Sequence, residues 1–344
     1  MLDKNKLGQV FTPEFIVDKM LNLISKANPN LILETSSGSG NFYFKLIKKY
    51  KNVVGIEIDE KIAHKGAIID SYFNTNYKAD VIIGNPPYVK FNNIENRPES
   101  KLLIHKPNLF HYFLEKALKD LTENGELIWI VPSNIFTNTS GKNLNKIINE
   151  NFSITHWEQV KENIWHDASI PTAIIKIIKA KNHPEKIDYI FSEGKIIFGS
   201  FIKSDQKIII KVGGASGFNS YLEKGDTEFI DSTTERTKLT KFIKYEPQKW
   251  IRPVPKSPEN FTYTIFVNCK TRKINPFYIL ERIPYGMFVN YDASVLCIYT
   301  FSSKNQAKDL CNKLNSHDWE LAGIKKDGRY HFSQSILKAI IKQN

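Results

Sequence analysis

The sequence predicts an α/β protein: a parallel sheet over residues 1–180 and a second, mixed α/β domain over residues 181–344. Three observations carry this. Short apolar runs alternate with segments of helical periodicity through the first half, the pattern of a parallel sheet covered on both faces. A glycine-containing turn follows the first apolar run and opens a helix,. The regular alternation then fades beyond AKNHPEK, at 180–186, a charged, proline-bearing stretch suited to a domain boundary.

Phe15–Ile24 carries apolar residues at helical spacing,. Leu31-Ile32-Leu33 is a short strand, and Phe42–Tyr50 is helical. Val53–Ile56 is a second strand, with a short helix near Ile62–Ile69. Val81-Ile82-Ile83 is a third strand and Leu109–Leu121 an amphipathic helix. Leu127–Val131 is a strand, Leu144–Ile148 a helix, and Pro171–Ile178 the last strand of this domain. Beyond the boundary, Ile208–Val212 and Val295–Thr300 read as strands, and Gln306–Leu314 and Gln334–Ile341 as helices.

At 344 residues the chain has room for two domains, taking about 100–200 residues for each. No apolar run is long enough to span a bilayer,, and the first residues lack the apolar core of a signal peptide. Cys269, Cys297 and Cys311 form no CxxC pair. Neither a disulfide framework nor a metal cluster is signalled, and a cytoplasmic location is the expectation. The net charge of +12 is uneven. Residues 181–344 hold 26 Lys+Arg against 17 Asp+Glu, and residues 1–180 hold 22 against 19. A basic second domain suggests a polyanion, most often nucleic acid.

Leu31-Ile32-Leu33 leads into Glu34-Thr35-Ser36-Ser37-Gly38-Ser39-Gly40 and then a helix. Such glycines let backbone pass close to a ligand at the helix N-terminus. The second strand ends at Glu57, placed to accept hydrogen bonds from the hydroxyls of a ribose. A dinucleotide fingerprint wants a third glycine where Tyr43 stands, and no GxxxxGK[ST] occurs,. The acid at Glu34 disfavours a pyrophosphate and suits a cofactor bearing positive charge, as S-adenosylmethionine does.

The third strand ends in Gly84-Asn85-Pro86-Pro87-Tyr88. Both prolines lock φ and restrict the residue before them. The Asn85 side-chain oxygen and the Pro86 carbonyl are then two fixed acceptors for the hydrogens of an amine. Asn-Pro-Pro-Tyr after a strand resembles motif IV of DNA amino-methyltransferases. GQVFTPEFIVDKM (Gly8–Met20) resembles their motif X, LETSSGSGNF (Leu33–Phe42) motif I, and GIEID (Gly55–Asp59) motif II. PNLFHYFLEKAL (Pro107–Leu118) resembles motif V and ENGELIWIVPSNIF (Glu123–Phe136) motif VI.

With motif X first and a long tail last, the chain resembles the gamma class of DNA adenine-N6 methyltransferases of restriction-modification systems. The resemblance covers the first 180 residues clearly. It implies a Rossmann-like S-adenosylmethionine-dependent methyltransferase domain with a target-recognition domain behind it. Thr12, Pro13, Glu34, Ser36, Gly38, Gly40, Glu57 and Asp70 would bind the cofactor, Asp70 through its adenine. Asn85, Pro86, Pro87 and Tyr88 would hold a target adenine flipped out of double-stranded DNA. A single stacked ring returns about 1–3 kcal/mol, comparable to the few kcal/mol that flipping costs, so a second ring is expected. Trp165, in ENIWHDASIPTAIIKIIK, takes the place where the family usually has Phe. A cognate restriction endonuclease would be a partner.

In the second half, the stretch from Lys211 to Gly217 resembles the start of target-recognition regions, and its glycines would bring backbone N–H groups to DNA phosphates. Lys270, Arg272 and Lys273 form one further basic group, and Lys325, Lys326 and Arg329 another. Three rival readings share parts of this pattern. They are a methyltransferase acting on a protein glutamine amide, a silent nucleic-acid-binding subunit, and a methyltransferase acting on cytosine N4.

Overall fold

The structure is a computed structural model and describes residues 11–160, 171–216, 224–234, 240–280, 286–326 and 328–343. The chain divides into two compact units, Met1–Phe198 and Gly199–Asn344.

The first unit is built on seven strands: β1 (Ile32–Glu34), β2 (Val53–Glu57), β3 (Ile68–Ile69), β4 (Ala79–Gly84), β5 (Leu121–Pro132), β6 (Ser153–Val160) and β7 (Thr172–Ile178). Their order is β3-β2-β1-β4-β5-β7-β6. β1 to β5 pair in parallel. β7 runs antiparallel to both β5 and β6, so the sheet is mixed where the sequence predicts a parallel one. The edge strand β6, SITHWEQV, mixes polar and apolar residues and was not signalled by its pattern. The helix expected over Ile62–Ile69 is instead a turn leading into β3. Gly66, at φ +96°, takes a left-handed conformation that ends helical progression.

Among the described residues of this unit are the helices α1 (Glu14–Leu21), α2 (Tyr43–Leu46), α3 (Leu109–Asp120) and α4 (Lys142–Asn151). Ile16, Val17 and Met20 of α1 join Phe42 and Leu46 in one core with Ile32, Val81, Ile83, Ile128 and Ile130. Strand alternation sends Ile82, Leu127 and Trp129, all fully buried, to the opposite face. Both faces of β4 and β5 are therefore covered, which explains their unbroken apolar runs. Asn108 caps α3 by accepting from the Phe110 N–H,. The buried Lys176 and Glu126 fasten the chain after α1: Lys176 Nζ donates to Leu23 O at 2.8 Å, and Glu126 Oε2 accepts from Ser25 N at 3.1 Å.

The unit continues past residue 180 through a hairpin, β8 (Ile190–Ser192) and β9 (Lys195–Ile197). Phe198 stacks on Trp157 of β6 with ring centres 4.4 Å apart. Asn145 of α4 donates to Gly194 O at 2.9 Å in the hairpin turn. These contacts hold 181–198 on the first unit, although the composition shifts earlier.

The second unit contains β10 (Ile202–Ser204), β11 (Ile208–Val212), β12 (Lys224–Ile230), β13 (Lys241–Ile243), β14 (Tyr263–Asn268), β15 (Lys270–Thr271), β16 (Asn290–Tyr291) and β17 (Val295–Thr300). It then adds α5 (Lys304–Ser316), β18 (Lys325–Lys326), β19 (Arg329–His331), α6 (Gln334–Ile340) and β20 (Ile341–Gln343). Its strands form small sheets, β11-β17-β14, β13-β12-β16, β15-β19-β18 and the pair β10-β20. Ile230, Phe266, Tyr291, Cys297 and Tyr299 form its main core. The three cysteines are free thiols. No helix among the described residues is long and apolar enough to cross a membrane.

The glycines at 213 and 214 do a different job from the one their sequence suggests. Gly213 N donates to Val295 O and Gly214 N to Tyr291 O, so these N–H groups are spent inside the unit. A Cβ at Gly213 would meet Asp292 O at 2.1 Å, and one at Gly214 would meet Val254 N at 2.8 Å. Close backbone packing requires glycine there. Gly217 lies outside the described residues.

Candidate functional site

The strand exits of β1, β2 and β4 open on one cavity of about 830 Å³, which Thr12, Glu34, Ser36, Gly38, Glu57, Asp70, Asn85 and Pro87 help to line. This is where an open α/β sheet places its ligands, at the carboxyl ends of the strands beside the reversal of strand order.

The loop after β1 is shaped by glycine and by Glu57. Gly38 has φ +50° and Gly40 φ +88°. A Cβ on Gly40 would press on the Phe44 ring at 2.8 Å. Gly38 N donates to Glu57 Oε2 at 2.8 Å, and Asp59 N donates to Oε1 at 3.0 Å. Glu57 therefore ties the β1 loop to its own strand exit while facing the cavity. Asp70 lies beyond it, its N–H donating to Glu57 O. Its Oδ1 accepts from Ser71 N and Asn74 Nδ2, both at 2.7 Å.

Glu34 is 2% exposed, and its Oε2 has no hydrogen-bond partner among the described residues. Burial pushes its pKa well above the usual carboxyl range; the backbone N–H of Tyr43 opposes this and the charge of Glu57 adds to it,. A buried acceptor without a donor is costly unless a ligand completes it. The folded chain holds this proton more tightly than the unfolded chain does. The Glu34 contribution to stability is thus fully present at low pH and is lost as pH rises through the folded value. Glu34→Gln keeps a neutral group of the same shape. Its melting temperature, without ligand, should match wild type near pH 4 and exceed it increasingly toward pH 8. A gap that stays constant with pH would remove Glu34 titration as its source.

The β4 exit is locked to the same loop. Ser36 Oγ donates to Asn85 O at 3.0 Å, and Asn85 Nδ2 donates to Thr12 Oγ1 at 3.3 Å. Thr12 O in turn accepts from Asn41 Nδ2 at 3.1 Å. Thr12, Ser36 and Asn85, far apart in sequence, are thereby joined. Tyr88 turns inward: its Oη donates to Ile130 O at 2.9 Å and its ring meets Phe110 edge-on, centres 6.0 Å apart. Burial pushes its phenol pKa well up. Pro13 caps α1, and Pro13, Gly40, Pro86 and Tyr88 stand behind the lining rather than in it. Trp165 lies outside the described residues.

Sequence reasoning missed the apolar lining. Ile58, Phe73, Leu109 and Phe113 complete the cavity near Asp70. Ile58, between Glu57 and Asp59 at the exit of β2, is 60% exposed, where a core residue would be covered. His111 is 1% exposed and its pKa is lowered to about 4 by burial. It is a neutral core residue.

Residues 15–165 match the family model of the Eco57I restriction-modification methylase. The chain is 35% identical over 193 residues to the Type II methyltransferase M.HincII of Haemophilus influenzae, covering 52% of this chain and 38% of that protein. It is 27% identical over 212 residues to the Type II methyltransferase M.AccI of Acinetobacter calcoaceticus, covering 54% and 39%. The matched region spans about two-fifths of the length of these relatives. Among solved structures, the M protein of the type I restriction enzyme EcoKI aligns with a TM-score of 0.43 at 16% identity, over 54% of this chain and 47% of that one. The first unit has the fold of S-adenosylmethionine-dependent methyltransferases, and fold and family model together imply S-adenosylmethionine as the cofactor. The residues present fit it: a glycine cradle that side chains would fill, and a buried Glu34 oxygen lacking a donor.

Proposed function

We propose that the protein is a site-specific DNA methyltransferase that methylates N6 of adenine in double-stranded DNA, as the modification partner of a cognate restriction endonuclease. The observation that carries this reading is one cavity shared by the acids Glu34, Glu57 and Asp70 and by Asn85 and Pro87 at the exit of β4. Its relatives by sequence are Type II methyltransferases, and the long basic region beyond the matched segment suits a polyanionic substrate,.

When bound, S-adenosylmethionine supplies an electrophilic methyl group. Glu57 offers its remaining lone pairs to ribose hydroxyls while its two N–H contacts hold the loop. Asp70 would hold the adenine of the cofactor, and Ile58 and Phe73, which line the same cavity, would supply its apolar walls. Glu34 provides a buried acceptor near positive charge. Asn85 and the Pro86 carbonyl accept the two hydrogens of the target amine and aim its lone pair, so catalysis rests mainly on positioning. No strong base is needed, because the nitrogen loses its proton after it becomes cationic. The motif assigns the rings that stack on the flipped base to Tyr88 and Trp165; Tyr88 is turned inward to Ile130 O here, so that role requires its ring to swing out toward the cavity.

The deciding experiment expresses the full chain in a host lacking adenine methylation and sequences its DNA with modified-base detection. N6-methyladenine in one consistent sequence context is the expected result. Unmodified DNA, or methylation of cytosine, would overturn the reading.

A further inference from the structure

Two basic groups that are distant in sequence meet on one small sheet of the second unit. β15, β19 and β18 pair antiparallel, with Lys270 opposite His331, Thr271 opposite Tyr330, Lys325 opposite Tyr330, and Lys326 opposite Arg329. Residues opposite one another share a face, and neighbours along a strand alternate. Lys270, His331 and Arg329 therefore lie on one face, and Thr271, Tyr330 and Lys325 on the other. The first face carries the exposed Lys270 and Arg329. The second packs inward: Thr271 is buried, and Lys325 pairs with Glu320 at 3.1 Å. The loop leaving β15 adds exposed Arg272 and Lys273 and then Ile274, which is 83% exposed.

We propose that this face is a DNA-contacting surface, on which Lys270, Arg272 and Arg329 take backbone phosphates and Ile274 enters a groove as an apolar wedge. The inference rests on the DNA-methyltransferase reading above. A small antiparallel sheet with basic side chains on one face suits a phosphate backbone. A large aliphatic side chain held in water beside such charges is the kind of group that minor-groove proteins insert between base steps. A single isoleucine buries too little apolar area to anchor the chain on a lipid surface.

The test measures binding of the full chain to a labelled random-sequence duplex by fluorescence anisotropy, between about 50 and 200 mM salt. Each lost phosphate contact lowers the slope of log affinity against log salt by about 0.9. The triple variant Lys270→Gln, Arg272→Gln, Arg329→Gln should lose about 2 to 3 from that slope and bind at least tenfold more weakly at the low-salt end. The matched triple Lys304→Gln, Lys308→Gln, Lys313→Gln, on exposed positions of α5, should keep the wild-type slope. Ile274→Ala should weaken binding about fivefold to tenfold with the slope unchanged, because apolar burial is lost and no counterion is involved. If wild type binds duplex and the first triple keeps its slope, this surface is overturned while the methyltransferase reading stands. An unchanged affinity in Ile274→Ala overturns the wedge. A wild-type chain that binds no duplex overturns the surface together with the reading beneath it.

Discussion

Asn85→Ala should bind cofactor and DNA nearly as wild type does, yet transfer methyl about 10²–10³-fold more slowly, the usual cost of removing one preorganised group where charge develops. The Asn85 backbone is held by Ser36 through its carbonyl and its amide nitrogen by Thr12. With Nδ2 turned to Thr12, Oδ1 is directed elsewhere, which is what an acceptor for the target amine requires. Alanine keeps the backbone lock and removes the acceptor. Asn85→Asp should retain measurable activity. It keeps an acceptor oxygen, and Thr12 can reverse its role and donate its hydroxyl proton to the new carboxylate. The added negative charge also tolerates a nitrogen becoming cationic. Single-turnover transfer with enzyme in excess isolates the step, since an interaction made mainly in the transition state appears in that rate. An alanine variant transferring at the wild-type rate would show that Asn-Pro-Pro-Tyr here serves only as a strand exit.

The site was legible in the sequence to the extent that its chemistry sits at strand ends. An apolar run, a turn and an acid fix which end of a strand a residue occupies, so Glu34, Glu57 and Asn85 could be gathered at one sheet edge before any coordinates. What stayed hidden depends on partners distant in sequence. The direction of β7 is set by its pairing with β6, whose sequence SITHWEQV looks half-polar because it lies at the sheet edge. Gly213 and Gly214 read as a phosphate-binding turn until Asp292 and Val254 are seen pressed against them. The alignment of Lys270 with His331 and Arg329 on one face follows from register alone, which no local pattern encodes. Ile58 and Phe73 were hidden for a simpler reason: an apolar lining residue has the same letter as a core residue.

Glu57→Ala should weaken S-adenosylmethionine binding by about 10²-fold or more, at about 1.5–3 kcal/mol for each hydrogen bond to a charged group. The structure gives this residue two duties. Its oxygens accept from Gly38 N at 2.8 Å and from Asp59 N at 3.0 Å, which sets the path of the β1 loop. A carboxylate has about four lone-pair sites, so two remain for the ribose hydroxyls. Alanine removes both duties, and the N–H groups of Gly38 and Asp59 lose their charged acceptor in a part-buried setting. Glu57→Gln separates them. Its single carbonyl oxygen can serve one N–H and one hydroxyl, while its amide donors face the other N–H. Affinity in the glutamine variant should fall between wild type and alanine, with a smaller loss of melting temperature. Calorimetric titration gives the affinities, and thermal scans without ligand give the loop's share of stability. If alanine lowers the melting temperature yet binds the cofactor as wild type does, Glu57 only shapes the loop, and the ribose is held by other groups in the cavity.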